Sequence, residues 1–311
     1  MKNIITLFIL ILAMLWGTSS CQNQAAADAE NGSTAENEQT QSSGPQALGD
    51  SISLKKFWES DPYLETSESV LYAYWDSTLL VSCIYGKPTE KDGNGVISKI
   101  SLENGQAIQE RFTIGLNAPK GMGVSPDAKT LYVTDIDRLV AIHARSGTIL
   151  KEYPVKGAKF LNDVFVDPRD SSVYFSDTET GYIHRLYQDE IAPIAQVKAP
   201  NGITSYSDSL LVVLSFAGNE MFLVNRISKE VRRISPGIPD GDGIVPDGQG
   251  GFFASAWSGQ VYHLNHRLTP TLLLDTRDKE INAADIEYIP EQGLLLVPTF
   301  FKNSVTAYRV Q

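Results

Sequence analysis

A repeated unit of short apolar strands separated by polar turns constrains this chain more than any other feature. Residues 158–185, AKFLNDVFVDPRDSSVYFSDTETGYIHR, show one unit. The polar pair Asn162 and Asp163 precedes an apolar strand, a second strand ends in Ser176-Asp177, and a third begins after Gly181. Strands of about five residues joined by tight polar turns are typical of antiparallel sheets. The unit therefore predicts antiparallel β-structure.

The unit recurs six times. Aligned on the polar residue before each first apolar strand, the copies begin at Glu68, Lys120, Asn162, Asn201, Asp242 and Asp285. The intervals between these residues are 52, 42, 39, 41 and 43 residues. A period of about 40–45 residues with several short strands per unit is typical of β-propellers, whereas helical repeats of that length lack alternating β-branched and aromatic runs. Residues 51–311 are therefore predicted to form an all-β, six-bladed β-propeller.

The N-terminal strand of this domain is predicted to close the ring. The segment 51–59, SISLKKFWE, resembles the fourth-strand segments of the other units, while the last unit supplies three strands before the chain ends. We therefore expect residues 51–59 to form the outer strand of the last blade, which removes an open sheet edge. The longest interval, in the first unit, contains a Gly-rich polar insertion at 85–98 that is expected to overhang one face.

Residues 1–20 have the features of a secretory signal peptide. Lys2 precedes an apolar run from Ile4 to Trp16, and four small residues follow before Cys21. A cysteine directly after small residues resembles the lipobox of bacterial lipoproteins, although Thr18 stands where an aliphatic residue is usual. The sequence therefore predicts a lipid anchor at Cys21 and a place in the cell envelope, facing the periplasm or the exterior. The alternative is secretion without lipidation.

Residues 21–50 are predicted to be a disordered acidic tether. The segment after Cys21 consists of small and polar residues with five acidic and no basic side chains, so it cannot bury enough apolar surface to fold. The only other cysteine, Cys83, lies in an apolar strand, where an unpaired thiol behaves as a small hydrophobe. With a net charge of −11 and no basic stripe, the chain is not expected to bind nucleic acid. We expect a monomer.

The six polar residues that open the units suggest a metal site. The innermost strand of each propeller blade lines the central channel, so residues at equivalent positions should form a ring at one mouth. Carboxylates held close together without a cation are costly, and Lys120 can offset one charge at most. The candidate ligands are oxygen atoms, with no His or Cys. Such ligands favour Ca²⁺, with Mg²⁺ or Mn²⁺ second, over Zn²⁺ or Cu²⁺.

Several of these motifs resemble those of the senescence marker protein / gluconolactonase (regucalcin-like) family of six-bladed propellers. The motifs are SESVLY, LNDVFVD, APNGI and GDGI. The first departs from the usual EGP, because Ser69 and Val70 follow Glu68. Asp240 also precedes a glycine, and Asp242 is preferred because the strand continues after it. The resemblance implies a metal held by four residues, namely Glu68, Asn162, Asn201 and Asp242.

The same resemblance implies hydrolysis of a lactone or a related ester. The metal would polarise the substrate carbonyl, and Asp242, or Asp285 on the neighbouring blade, would take a proton from the attacking water. Asn162 and Lys120 would stabilise the developing oxyanion.

Other interpretations remain open from sequence. Asn201 and Asp242 could serve only as turn residues, since Asn-Gly and Asp-Gly form turns. Lys120 could balance charge rather than act in catalysis, and Asp285 could contact the metal ligands without binding the metal itself. The alternative function is a non-catalytic propeller that binds a sugar, a peptide or a protein partner at the same channel mouth.

Overall fold

The computed structural model describes residues 52–311, and the predicted signal peptide, Cys21 and the acidic tether lie outside the described residues. Residues 52–311 form six four-stranded antiparallel sheets. The first strand of each sheet contacts the first strands of the two neighbouring sheets, so that the sheets close into a ring. The predicted all-β, six-bladed propeller is therefore confirmed. No helix within residues 52–311 is long and apolar enough to cross a membrane.

The strands follow the chain from the channel outward in blades 1 to 5. The first strand is β1 (Leu54–Glu59). Blade 1 contains β2 (Ser67–Ala73), β3 (Thr78–Cys83), β4 (Gly95–Ser101) and β5 (Ala107–Leu116). Blade 2 contains β6 (Pro119–Val124), β7 (Thr130–Asp135), β8 (Arg138–His143) and β9 (Ile149–Pro154). Blade 3 contains β10 (Leu161–Val166), β11 (Val173–Asp177), β12 (Tyr182–Tyr187) and β13 (Glu190–Gln196).

The remaining blades repeat this order. Blade 4 contains β14 (Pro200–Ser205), β15 (Leu210–Ser215), β16 (Asn219–Asn225) and β17 (Val231–Pro239). Blade 5 contains β18 (Gly241–Pro246), β19 (Phe252–Ala256), β20 (Gln260–Leu264) and β21 (Pro270–Asp275). Blade 6 contains β22 (Glu287–Ile289), β23 (Leu294–Pro298) and β24 (Val305–Val310), with short 3₁₀ turns at Arg277–Lys279 and Pro290–Gln292.

The N-terminal strand closes blade 6, as the sequence predicts. β1 pairs antiparallel with β24, from Leu54 opposite Val310 to Glu59 opposite Thr306. The two ends of the described chain therefore belong to one sheet. The predicted insertion in blade 1 is shorter than expected, because β4 already begins at Gly95 and the loop covers residues 85–94.

Apolar cores lie between neighbouring blades rather than in one central cluster. Successive side chains of a strand point to opposite faces of its sheet. In β23, Leu296 accordingly packs into the core shared with blade 1, while Leu295 packs into the core shared with blade 5. Both faces of the middle strands are therefore buried, which explains their almost continuous apolar sequences. Cys83 belongs to the first of these cores and is buried, as expected.

The inner strands of blades 1 to 5 each carry a bulge near their start, and hydroxyl groups of the second strand hydrogen-bond to the backbone there. Ser176 Oγ accepts a hydrogen bond from the backbone N–H of Asp163 at 3.0 Å, and Ser255 Oγ accepts one from Gly243 at 2.8 Å. The aspartate that follows in blade 3, Asp177, accepts hydrogen bonds from the backbone N–H groups of Lys159 and Phe160. In blade 2, Asp135 of the pair Thr134-Asp135 likewise accepts hydrogen bonds from the backbone N–H groups of Asn117 and Ala118. The Ser-Asp and Thr-Asp pairs of blades 3 and 2 therefore have structural roles, because they fix the entries of the inner strands β10 and β6.

Candidate functional site

Five of the six polar residues predicted for the channel mouth occupy one equivalent position in the propeller, and four of these five have side chains of the metal-ligand type. Glu68, Asn162, Asn201 and Asp242 are each the second residue of an inner strand, in blades 1, 3, 4 and 5. Each is at most 6% exposed. Burying two carboxylic acids and two amides at one end of a channel is costly unless they bind a partner. We call these four residues the mouth site.

Asn201 and Asp242 contact each other directly. The amide Nδ2 of Asn201 donates a hydrogen bond of 2.7 Å to Oδ1 of Asp242. Asp240, the other aspartate before a glycine, has a different role, since its Oδ2 accepts a hydrogen bond from the backbone N–H of Ser258. The structure thus places Asp242 rather than Asp240 in the mouth site.

Glu68 is a buried carboxyl group without a hydrogen-bond donor. Its Oε2 is buried and has no partner among the described residues. Burial, followed by the charge of Asp242, raises the pKa of Glu68 well above its usual range, and Lys120 opposes this effect. Burial also raises the pKa of Asp242, and its hydrogen bond from Asn201 opposes that shift. A cation between the two carboxylates would relieve both costs.

Asn162 is oriented by a residue that the sequence did not single out. Its Nδ2 donates a hydrogen bond of 3.1 Å to Oγ1 of Thr178, and the Thr178 hydroxyl in turn donates to the carbonyl oxygen of Pro200 at 2.8 Å. With the amide nitrogen so engaged, the Asn162 carbonyl oxygen is left as the group for a cation. The sequence feature that could have identified Thr178 is its position directly after β11, the second strand of blade 3.

Lys120 occupies the equivalent position in blade 2, but its ammonium group already donates hydrogen bonds to backbone carbonyl oxygens. Nζ donates to the carbonyl oxygens of Ala118 at 3.0 Å and Pro88 at 3.1 Å, and it lies 4.4 Å from the centre of the Phe160 ring. Burial lowers the pKa of Lys120 to about 8, and the charge of Glu68 opposes that shift. Because Pro88 belongs to the loop 85–94, Lys120 ties that loop to the channel. The oxyanion role expected from sequence would require Nζ to leave these carbonyls.

The sequence alignment placed Asp285 at the blade 6 position equivalent to Asn162, but the structure places Ala284 there. Ser255 Oγ of blade 5 donates to the carbonyl oxygen of Ala284 at 2.7 Å, as Thr134 Oγ1 of blade 2 donates to that of Asn162. Ala284 therefore occupies the position of Asn162, and Asp285 that of Asp163. The alignment failed because Asp285 directly precedes its apolar residue, whereas in the other units one residue intervenes.

Asp163 and Asp285, from blades 3 and 6, form a second acidic pair behind the mouth site. The two carboxyl groups are close enough that the charge of Asp285 raises the pKa of Asp163, and one proton shared between them would relieve the repulsion of two buried charges. Asp163 also accepts hydrogen bonds from the backbone N–H groups of Val164 and Ile203, and Asp285 accepts one of 2.6 Å from Ser69 Oγ. Burial raises the pKa of Asp285 to about 6, and burial with the charge of Asp285 raises that of Asp163.

This acidic pair lies at a narrow cavity of about 190 Å³. The walls of the cavity are the apolar side chains that follow the mouth site along the inner strands, including Val70, Met122 and Ile203. None of the four mouth-site residues is part of its lining. The channel of the described domain therefore contains two polar levels, the mouth site and the acidic pair.

The donor set of the mouth site suits a hard cation. Two carboxylates and two side-chain amides offer oxygen ligands of the kind that Ca²⁺ prefers, and Glu68 Oε2 has no other partner. Within residues 52–311 no group of three or more His, Cys, Asp or Glu side chains is arranged to hold a metal. The mouth site is not a group of this kind, because two of its four residues are asparagines.

The four histidines of the sequence lie away from the mouth site. His263 contacts Asp247 at 2.8 Å, and His143 contacts Ser146 at 2.9 Å. His184 stacks on Phe175 in blade 3, and His266 is exposed. None of these contacts involves a residue of the mouth site.

Solved structures similar to this chain are propellers with different roles. A gluconolactonase from Xanthomonas campestris matches with a TM-score of 0.60 and 16% identity, over 81% of this chain and 89% of that one. A catalytically inactive virginiamycin B lyase from Staphylococcus aureus, solved with quinupristin, matches with a TM-score of 0.59 and 15% identity, over 83% and 99%.

A nidogen/laminin complex also contains a similar chain, with a TM-score of 0.56 and 16% identity over 70% of this chain and 82% of that one. At such low identities these similarities establish the fold. No protein-family model and no curated protein match the sequence.

Proposed function

We propose that this chain is a metal-dependent hydrolase of a lactone or related ester, with Ca²⁺ as the metal and Glu68, Asn162, Asn201 and Asp242 as its ligands. The observation that carries the proposal is Glu68 Oε2, a buried carboxylate oxygen without a donor beside a second buried carboxylate. The similarity in fold to a gluconolactonase supports the same reaction class.

When bound, the cation would polarise the carbonyl of the substrate. The chain itself supplies the base. Oδ1 of Asp242 accepts the hydrogen bond from Asn201, which holds the carboxyl group in place and leaves Oδ2 to take the proton of the attacking water. Asp285 is unsuited to this task because its carboxyl group is engaged with Ser69 and Asp163 behind the mouth.

Asn162 and Lys120 are proposed to act differently. Asn162 Nδ2 donates one of its two N–H groups to Thr178, and the other would donate to the oxyanion that develops on the carbonyl. Lys120 holds the loop 85–94 in place through Pro88 and partly offsets the charge of Glu68. We further propose that the chain is tethered in the cell envelope through Cys21, acts as a monomer and binds no nucleic acid.

Hydrolysis of a panel of lactones by chelator-treated, full-length protein tests this proposal. We expect no turnover until Ca²⁺ is added, and a rate that saturates with the metal. Turnover that is unaffected by chelation would reject the metal role. Calcium binding without turnover of any lactone or ester would instead favour a binding propeller.

A further inference from the structure

A collar of mostly apolar residues surrounds the mouth site. In blades 1 to 5 the collar residue comes directly after the second strand and lies beside the entry of an inner strand. In blade 6 it is Phe300, two residues after β23, which pairs with Ser67 of blade 1 as Ile136 of blade 2 pairs with Leu161 of blade 3. The backbone N–H groups of Ile84, Phe216 and Trp257, for example, donate to carbonyl oxygens just before their own inner strands. The six collar residues are Ile84, Ile136, Thr178, Phe216, Trp257 and Phe300.

The aromatic members of the collar, together with the adjacent Phe301, form one continuous group on blades 4 to 6. The ring centres of Phe216 and Trp257 are 6.4 Å apart, those of Trp257 and Phe300 5.7 Å, and those of Trp257 and Phe301 5.9 Å. The Phe301 ring is 64% exposed. Edge-to-face contacts of this kind hold flat side chains as a rigid apolar wall.

Ala284 extends this wall into the mouth site. It packs in one cluster with Ile84, Ile136, Phe300 and Trp257. As shown above, Ala284 occupies the position at which four other blades present a ligand-type side chain. Blade 6 stands between blade 5, which carries Asp242, and blade 1, which carries Glu68. The apolar wall therefore adjoins the two carboxylates directly.

The collar offers little to a substrate covered with hydroxyl groups. Thr178 is its one polar member, and its hydroxyl already donates to Pro200 and accepts from Asn162. Nζ of Lys120 is likewise bound to two carbonyl oxygens. Hydroxyl groups placed against this wall would lose water without gaining partners, which is unfavourable.

We infer that the substrate is a lactone or ester with an alkyl or aromatic substituent, which packs against Trp257, Phe300 and Phe301 while its carbonyl group faces the mouth site. This inference rests on the proposed hydrolase. It assigns Trp257 and Phe301 a role in substrate specificity.

The decisive comparison uses two δ-lactones, one with an eight-carbon alkyl chain and one with several hydroxyl groups. We expect the wild-type protein to hydrolyse the alkyl lactone at least about tenfold more efficiently in kcat/KM. Trp257→Ala and Phe301→Ser should each lower that value about tenfold, mainly through KM, and leave the hydroxylated lactone unaffected. Ile227→Ser, which alters a residue 79% exposed on a turn of blade 4, is the matched control.

Equal efficiency of the wild type for both lactones, or variants that lose the same factor on the hydroxylated lactone as on the alkyl lactone, would overturn the inference. If neither lactone is hydrolysed, binding of the corresponding alkyl δ-lactam decides between the two claims. Binding of the lactam that Trp257→Ala weakens would support the apolar pocket while the hydrolase fails. Absence of lactam binding would overturn the pocket as well.

Discussion

Asn201 Nδ2 lies 2.7 Å from Asp242 Oδ1, so that neighbouring blades 4 and 5 are joined by side chains at the mouth of the channel. The contact fixes one buried carboxyl group and leaves Oδ2, the oxygen proposed to take the proton, free of this partner. It also provides a local test, because Asp240, two residues away, is an aspartate with a different partner.

The first prediction uses this pair of aspartates. Asp242→Asn removes the proposed base and one anionic metal ligand, so lactone turnover should fall roughly 100-fold or more and calcium affinity should fall with it. Asp240→Asn retains an oxygen acceptor for the Ser258 N–H and should leave both properties unchanged. Steady-state kinetics and calorimetric titration with Ca²⁺ measure the two effects. Equal behaviour of the two variants would contradict the assignment of Asp242.

The second prediction concerns Glu68. Glu68→Gln replaces a buried carboxyl group whose ionisation is opposed by burial and by the charge of Asp242, so the chelator-treated variant should melt at a higher temperature than wild type, by about 2–4 °C for each kcal/mol gained. Calcium should then stabilise the wild type but not the variant. A variant that is still stabilised by Ca²⁺ to the wild-type extent would show that the cation binds elsewhere.

The third prediction separates two roles of Lys120. If Nζ holds the loop 85–94 and offsets the charge of Glu68, Lys120→Met should bind Ca²⁺ more tightly and lose less than about tenfold in turnover. Lys91→Met, on the same loop but paired with the exposed Asp137, is the control. A loss of more than about 100-fold in turnover with unchanged calcium affinity would instead support an oxyanion role for Lys120.

The fourth prediction follows from the pKa of Asp285, which burial raises to about 6. A carboxyl group with a raised pKa in the folded state contributes stability that is complete below its unfolded pKa and is lost as pH rises through the folded value. The metal-free wild type should therefore lose stability between pH 4 and 7. Asp285→Asn can donate to Asp163 at every pH, and its advantage should grow to about 3 kcal/mol at pH 7.

Denaturant unfolding in the presence of a chelator at several pH values measures this difference. Glu103→Gln, a change in an exposed turn, should show the pH profile of the wild type. An advantage of Asp285→Asn that is the same at pH 4 and pH 7 would contradict the shared proton.

The fold could be predicted from the sequence because each blade repeats the same local pattern of polar entry, apolar strand and turn. The closure by the N-terminal strand followed from counting strands, since blade 6 supplies three. The equivalent positions of Glu68, Asn162, Asn201 and Asp242 could also be predicted, because these residues stand at one position of the repeat, whereas their role as metal ligands stays a prediction.

The parts that sequence could not predict depend on contacts between distant blades. The alignment of Asp285 was one residue out because the sixth unit has alanine at the ligand position. The pairing of Asp163 with Asp285 spans the channel, and no local pattern indicates it. The direction of the Lys120 side chain depends on carbonyl groups of Pro88 and Ala118, which carry no side-chain signal.

The most direct test of the central claim is a crystal structure of the protein grown with calcium, with anomalous differences measured to locate the ion. We predict one ion in the channel mouth, about 2.3–2.6 Å from oxygen atoms of Glu68, Asn162, Asn201 and Asp242. A mouth without an ion at saturating calcium, or an ion bound elsewhere in the propeller, would contradict the proposed metal site.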